Sequence, residues 1–168
     1  MYLHKGFRLG SAVSKVMPIV HVLSKLGLLF SLLLAVPTLM SYFYHDSAFL
    51  VFAYTALTVL LVSCVTWVLT LRFNRELRPR DGFTLVLMLW LAFAVVAAMP
   101  IYFYMPSMSF TDAFFEAMSG LTTTGATVIS GLDTLAPSVN FWRHMLNWLG
   151  GMGIIVLAVA ILPMLGVG

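Results

Sequence analysis

The stretch SFTDAFFEAMSGLTTTGATVISG, Ser109 to Gly131, decides how this chain folds. Its first half carries the punctuation of a helix. Ser109 or Thr111 can cap the N-terminus, Asp112 places a negative charge in the first turn, and Gly120 can end it. Phe110, Phe114, Ala117, Met118 and Leu121 recur at helical spacing on one face, with Asp112, Glu116 and Ser119 on the other, so the spacing predicts an amphipathic helix. At about eleven residues it reaches only about halfway through a bilayer. The second half of the stretch has threonines and glycines but no charge.

What lies on either side makes that length decisive. The chain of 168 residues is 61% hydrophobic and 9% charged, with a mean hydropathy of +1.02, far from the roughly 25% charged residues of soluble domains. Four apolar runs are long enough to cross a membrane, at about 26–44, 48–71, 83–104 and 141–165. The first lacks the short core and processing site of a secretory signal and reads as a permanent helix. The fold class predicted is therefore all-α and integral to the membrane, with four transmembrane helices and one re-entrant pore helix with a filter loop. Residues 1–81 read as an N-terminal helical hairpin with basic segments. Residues 82–168 read as one pore-loop repeat, with a first helix at about 83–104, a pore helix at about 111–121, a filter at 122–127 and a second helix at about 141–165.

Charge placement orients the chain. Lys5, Arg8 and Lys15 precede the first run, Arg72, Arg75, Arg78 and Arg80 lie between the second and third, and no Lys or Arg occurs from Gly82 to Trp142. The positive-inside rule puts the N-terminus and the Arg-rich loop in the cytoplasm and the region after the third helix outside. The net charge of +3 is accounted for in this way, with membrane lipid as the partner and no nucleic acid. Lys25 and His21 fall at the cytoplasmic end of the first helix, where a lysine snorkels to the headgroups. Cys64 is the single cysteine, so no disulfide forms within the chain.

A short helix directed into the membrane aims the partial negative charge of its C-terminus at the interior, which favours a cation. Thr122, Thr123, Thr124, Gly125, Ala126 and Thr127 follow, offering backbone carbonyls and hydroxyls but no carboxylate. Such oxygens replace the water shell of a monovalent ion, and potassium in particular must be held weakly enough to leave. Gly125 admits positive φ, which lets successive carbonyls face one side. Taken alone, TTTG is a polar helix stop on an external loop; set between two spanning helices it reads as a cation filter. Glu116 needs a donor partner at that depth and is expected behind the loop, tying it by hydrogen bonds. Gly150, Gly151 and Gly153 clear one face of the last helix for close packing on the short one. Arg143 and His144 read as external anchors and Asp133 as a charge at the mouth. A protease reading of Ser119 with His144 and Asn147 lacks a Gly-x-Ser context and an oxyanion site.

The segments FFEAMSGLTTTGATV and WRHMLNWLGGMGIIVLAVAILPMLGVG resemble the first pore repeat of the TrkH and TrkG subunits of bacterial Trk potassium uptake systems, and the preceding hairpin resembles the two helices those subunits carry ahead of it. The resemblance implies a potassium pathway in the bacterial inner membrane, with potassium as the transported ligand, no cofactor and no enzymatic step. It implies that the carbonyls of Thr123, Thr124, Gly125 and Ala126 bind potassium, with Thr122 and Thr127 at the edges. Family members have four such repeats, so the missing repeats of the same subunit, a second copy in a homodimer and the cytosolic nucleotide-binding regulator TrkA are the implied partners, and this chain reads as an N-terminal part. A non-conducting scaffold or assembly subunit is the alternative, because one repeat does not close a pore.

Overall fold

A computed structural model describes residues 9–74 and 79–161. The described residues form five α-helices: α1 (Leu9–Tyr44), α2 (Phe49–Thr70), α3 (Pro79–Tyr104), α4 (Phe110–Leu121) and α5 (Pro137–Ile161), with short 3-10 turns at Leu71–Phe73 and Leu132–Thr134. Three of them contain spans long and apolar enough to cross a membrane, Val16–Tyr44, Phe49–Phe73 and Asp81–Tyr104. α5, at 25 residues, is of similar length. Leu29, Leu32, Tyr54, Leu57, Leu69 and Leu87 are exposed on these spans, as expected of side chains that face lipid rather than a protein core.

Three helices begin earlier than hydropathy places them. α1 starts at Leu9 rather than near Leu26 and runs through Pro18 and Pro37. At 36 residues it extends about 54 Å, longer than the roughly 30 Å of bilayer hydrocarbon, so only part of it lies among lipid tails. α3 and α5 start at Pro79 and Pro137, where a proline's fixed φ and missing N–H suit the first helical position. These starts are polar, so a hydropathy window passes over them. The expected end of the last helix near 165 lies outside the described residues.

α1 and α2 pair as an antiparallel hairpin, joined at one end by a hydrogen bond between His21 Nδ1 and Thr70 Oγ1 of 3.0 Å. The core sits where α5 meets this hairpin and α3. Trp142 is fully buried there, its Nε1 donating to the Ala97 carbonyl at 3.0 Å. Phe30 and Phe52 meet its rings edge-on at centroid distances of 5.8 and 6.1 Å, and Phe93 packs on Phe30 at 4.3 Å. Within a bilayer such packing and hydrogen bonding, rather than exclusion of water, hold helices together. The result fixes α5, and with it one wall of the loop after α4.

The amphipathic helix is present as α4, capped by Ser109, whose Oγ accepts the Asp112 amide at 3.1 Å and donates to the Asp112 carboxylate at 2.7 Å. Its orientation differs from the simplest expectation. Glu116 and Ser119 are buried at 4% and 5% exposure, whereas Phe110 and Phe115 are 41% and 44% exposed. α4 is buried on two sides: Ala113, Ala117 and Leu121, with Phe114 and Met118 beside them, pack on the core, while Glu116 and Ser119 turn to the back of the loop.

Candidate functional site: a braced loop at the end of a short helix

The chain after α4 folds straight back on the helix end. The amides of Thr122, Thr123 and Thr124 donate to the carbonyls of Met118, Gly120 and Ser119 at 2.8, 2.9 and 2.9 Å, and the Gly125 amide reaches Ser119 O at 3.4 Å. In a trans peptide each C=O points opposite to the next N–H. The carbonyls of Thr122, Thr123 and Thr124 therefore point away from α4. The backbone alternates in hand to achieve this: Thr122 has φ −85°, Thr123 has φ +58° and Gly125 has φ +71°. Gly125 takes the left-handed value without strain, while Thr123, β-branched, is held there against its preference by the bonds on either side.

The carbonyls divide into two groups. Thr122 O accepts the Thr123 hydroxyl at 2.6 Å, and Ala126 O accepts the Ser119 hydroxyl at 2.7 Å. Among the described residues, no protein group donates to the carbonyls of Thr123, Thr124 or Gly125. The hydroxyls of Thr122 and Thr124 lie 2.8 Å apart, and Thr122 Oγ1 also donates to Met118 O at 2.8 Å. All residues from Thr122 to Val128 are exposed, so the loop presents an open edge.

The other side of the loop is tied by one carboxylate. Glu116 Oε1 accepts from the Thr127 hydroxyl at 2.6 Å, the Val128 amide at 2.6 Å and the Ile129 amide at 3.2 Å. Oε2 accepts from Arg143 Nε at 3.1 Å. The Arg143 guanidinium also donates to Asn140 Oδ1 at 3.3 Å, and its carbonyl accepts from Asn147 Nδ2 at 3.2 Å. A buried carboxylate with four donors, one of them charged, is an acceptable interior group; without them it would not be.

Arg143 is thus not an external anchor. It is the partner that Glu116 requires, brought from α5 across 27 positions of sequence. The length of the separation hides the pair from sequence reading, although a buried acid calling for a donor and a lone arginine at the start of a spanning helix were both visible. Ser119 was legible as polar but not as a brace. Its hydroxyl is engaged with Ala126, His144 is exposed, and no hydrogen bond joins the two among the described residues.

α5 closes against the helix end through Gly150. A Cβ built there would lie 2.0 Å from Leu121 O and 2.6 Å from Leu121 C, a backbone clash. Gly151 and Gly153 are different: their Cβ positions fall 3.7 Å from Thr123 Cγ2 and 3.8 Å from the Trp90 ring, ordinary contacts. Beside the loop, a cleft of about 620 Å³ is lined by Gly125, Thr127, Asp133, Asn140, Arg143 and His144. The oxygens that Thr122 to Thr127 offer are carbonyls and hydroxyls, neutral ones.

A helix that stops partway, a loop braced from behind with carbonyls turned outward, and long apolar helices on either side define a multi-pass membrane protein with a pore-loop repeat. Residues 49–168 match the family described as TrkH, cation transport protein, and the chain belongs to that family. It is 46% identical over 151 residues to the Trk system potassium uptake protein TrkH of Salmonella typhimurium, covering 89% of this chain and 31% of that protein. It is 38% identical over 156 residues to the Trk system potassium uptake protein TrkG of Escherichia coli, covering 92% and 32%. The crystal structure of the potassium transporter TrkH from Vibrio parahaemolyticus superposes with a TM-score of 0.83 at 44% identity, covering 92% of this chain and 33% of that one. The chain spans about a third of the length of the relatives it matches.

Proposed function

We propose that this chain is the N-terminal part of a potassium-translocating subunit of the bacterial inner membrane, supplying one strand of a filter of backbone carbonyls. The observation that carries the reading is the run of carbonyls at Thr123, Thr124 and Gly125, which have no protein donor among the described residues and of which the first two point away from α4, on a loop tied to protein through the amides of Thr122 to Gly125 and through Glu116 at its back. Carbonyls held in this way stand in for the hydration shell of a potassium ion. Ala126 completes the strand with its remaining lone pair, Thr122 and Thr127 form its edges, and Glu116 and Gly150 support it; Gly151 and Gly153, expected to do so, have room for a methyl group and are not needed for that support. The names of the relatives supply the ion, since they are potassium uptake proteins.

In this reading residues 1–81 form the hairpin unit and 82–168 the first pore repeat, with the N-terminus cytoplasmic. The partners are the remaining repeats of the subunit, a second subunit in a homodimer and the nucleotide-binding regulator TrkA. The ion moves down its electrochemical gradient without covalent chemistry. Replacing Gly125 by Ser adds a side chain to a residue at φ +71°. Tested with the remaining repeats of a relative in a bacterium deficient in potassium uptake, Gly125→Ser is expected to lower the ratio of Rb⁺ to Na⁺ uptake. An unchanged ratio overturns the filter assignment.

The second reading, a non-conducting scaffold, draws on the exposed edge of Thr122 to Val128, since one strand cannot enclose an ion. It predicts insertion and assembly without flux. Expression of the chain alone and with the remaining repeats separates the two readings: Rb⁺ uptake only in the second case supports a transporter part, and none in either, with insertion confirmed, supports the scaffold.

A further inference from the structure

Asp46 lies in the short turn between α1 and α2, yet its carboxylate reaches the pore repeat. Oδ1 accepts from the Ser41 hydroxyl and from the Ala48 amide, the latter at 3.1 Å, closing the turn between the two helices. Oδ2 accepts the amide of Ser138 at 3.0 Å, across 92 positions of sequence. Ser138 is the second residue of α5, so this N–H is one of the helix's unpaired initial donors. Ala136, which precedes the helix, has no side-chain acceptor, and the cap comes instead from the hairpin. Burial pushes the Asp46 carboxyl up, but the hydrogen bonds from Ser41, Ser138 and the Ala48 amide outweigh it and hold the pKa below its ordinary value. The group is an anion at the positive end of a helix, where negative charge is favoured.

The first turns of α5 then carry Asn140 and Arg143; Arg143 bonds Glu116, and Glu116 holds Thr127, Val128 and Ile129. Hydrogen-bonded side chains and one rigid helical turn therefore run without a break from the hairpin's turn to the back of the loop. We propose that Asp46 is a positioning residue for the ion pathway: by capping α5 from the hairpin it sets where Arg143 stands, and so how Glu116 holds the loop. The part of this inference that concerns ions rests on the potassium reading above; the part that concerns the loop does not.

Asp46→Asn isolates the link. It keeps an oxygen for Ser41 and the Ala48 amide and puts an NH₂ group against the Ser138 amide. In the chain purified into lipid nanodiscs, hydrogen exchange at Ser138 to Asn140 is expected to quicken about fivefold, the size of one lost helix cap. Exchange at Val128 and Ile129 is expected to quicken with it. With the remaining repeats present, the half-saturating Rb⁺ concentration rises while the maximal rate is retained. Faster exchange confined to residues 138–140, or an unchanged half-saturating concentration beside faster exchange at Val128 and Ile129, overturns the proposal. Should the Asn variant not fold, Ser41→Ala, which frees the carboxylate on one side, is expected to give a smaller rise at the same amides, and no rise there overturns it. Absence of Rb⁺ uptake by the unsubstituted chain with its repeats counts against the potassium reading, whereas the exchange at Val128 and Ile129 decides the link.

Discussion

The hairpin of α1 and α2 and the loop after α4 are held by opposite means. Along their length the hairpin helices close on small and hydroxyl side chains, Gly27 against Ser63 with Ser24, Ser31 and Thr55 buried and bonded to their own helix, and turn leucines and aromatics to lipid, with His21 and Thr70 bonded at one end and Asp46 closing the other. Apart from Ile129, buried in the core at its end, the loop exposes its residues. Thr122 to Ile129 is shaped by bonds to the end of α4, to Ser119 and to Glu116. Side-chain packing between helices whose hydroxyls bond within their own helix tolerates small slides, whereas a set of directional bonds fixes each peptide plane. Fixed peptide planes are what a row of carbonyl ligands needs, so the bonded loop suits the role proposed for it, whereas the hairpin has no such demand.

Substitutions sharpen or break this contrast, and the largest effect is expected at Glu116. Glu116→Ala leaves Arg143 partly buried without its anion and frees three donors of the loop. Removing one partner of a buried pair costs about 3–5 kcal/mol, and the expected outcome is a large fall in the melting temperature of the purified protein. The double variant with Arg143→Ala should lose clearly less than the sum of the two single variants; additive losses would mean that the pair is not coupled. Next is Gly150→Ala. The added methyl meets the Leu121 backbone rather than a flexible side-chain end, so α5 or the helix end must move, at about 3 kcal/mol, the upper part of the range for overpacking. Rb⁺ uptake should fall with it, while Gly153→Ala should change neither property. The smallest effect belongs to the packed side of the comparison. Trp142→Phe keeps an aromatic ring among Phe30 and Phe52 and removes the bond to Ala97 O. A loss of about 1 kcal/mol in stability is expected, with the Rb⁺ to Na⁺ ratio unchanged. A shifted ratio would show that apolar packing, too, sets the loop.

How much of this was legible in the sequence depends on which solvent imposes the pattern. Lipid demands uninterrupted apolar runs, so the spans and the too-short helix between them could be read from composition and length. The polar first turns at Pro79 and Pro137 carry no such signal, and both helices began earlier than the hydropathy indicated. Spacing found the apolar face of α4, whose Ala117 and Leu121 are buried with Phe114 and Met118 packed beside them, but not that Glu116 and Ser119 on the polar face are buried as well, because the loop that covers them is itself polar. Gly125 could be anticipated at positive φ because few other residues go there. Thr123 could not, since its conformation is imposed by bonds to Gly120 and Ser119. The links from Glu116 to Arg143 and from Asp46 to Ser138 join distant positions, and only the packing of α5 on α4 and the hairpin brings them within reach.

The central claim is that the carbonyls of Thr123, Thr124 and Gly125 face a potassium ion, and the most direct measurement is the anomalous diffraction of Rb⁺ in crystals of the chain assembled with its remaining repeats. Density for the ion in line with those three carbonyls, lost on Gly125→Ser, is the predicted result. Rb⁺ density elsewhere in the assembly with none beside residues 123–125 would contradict it.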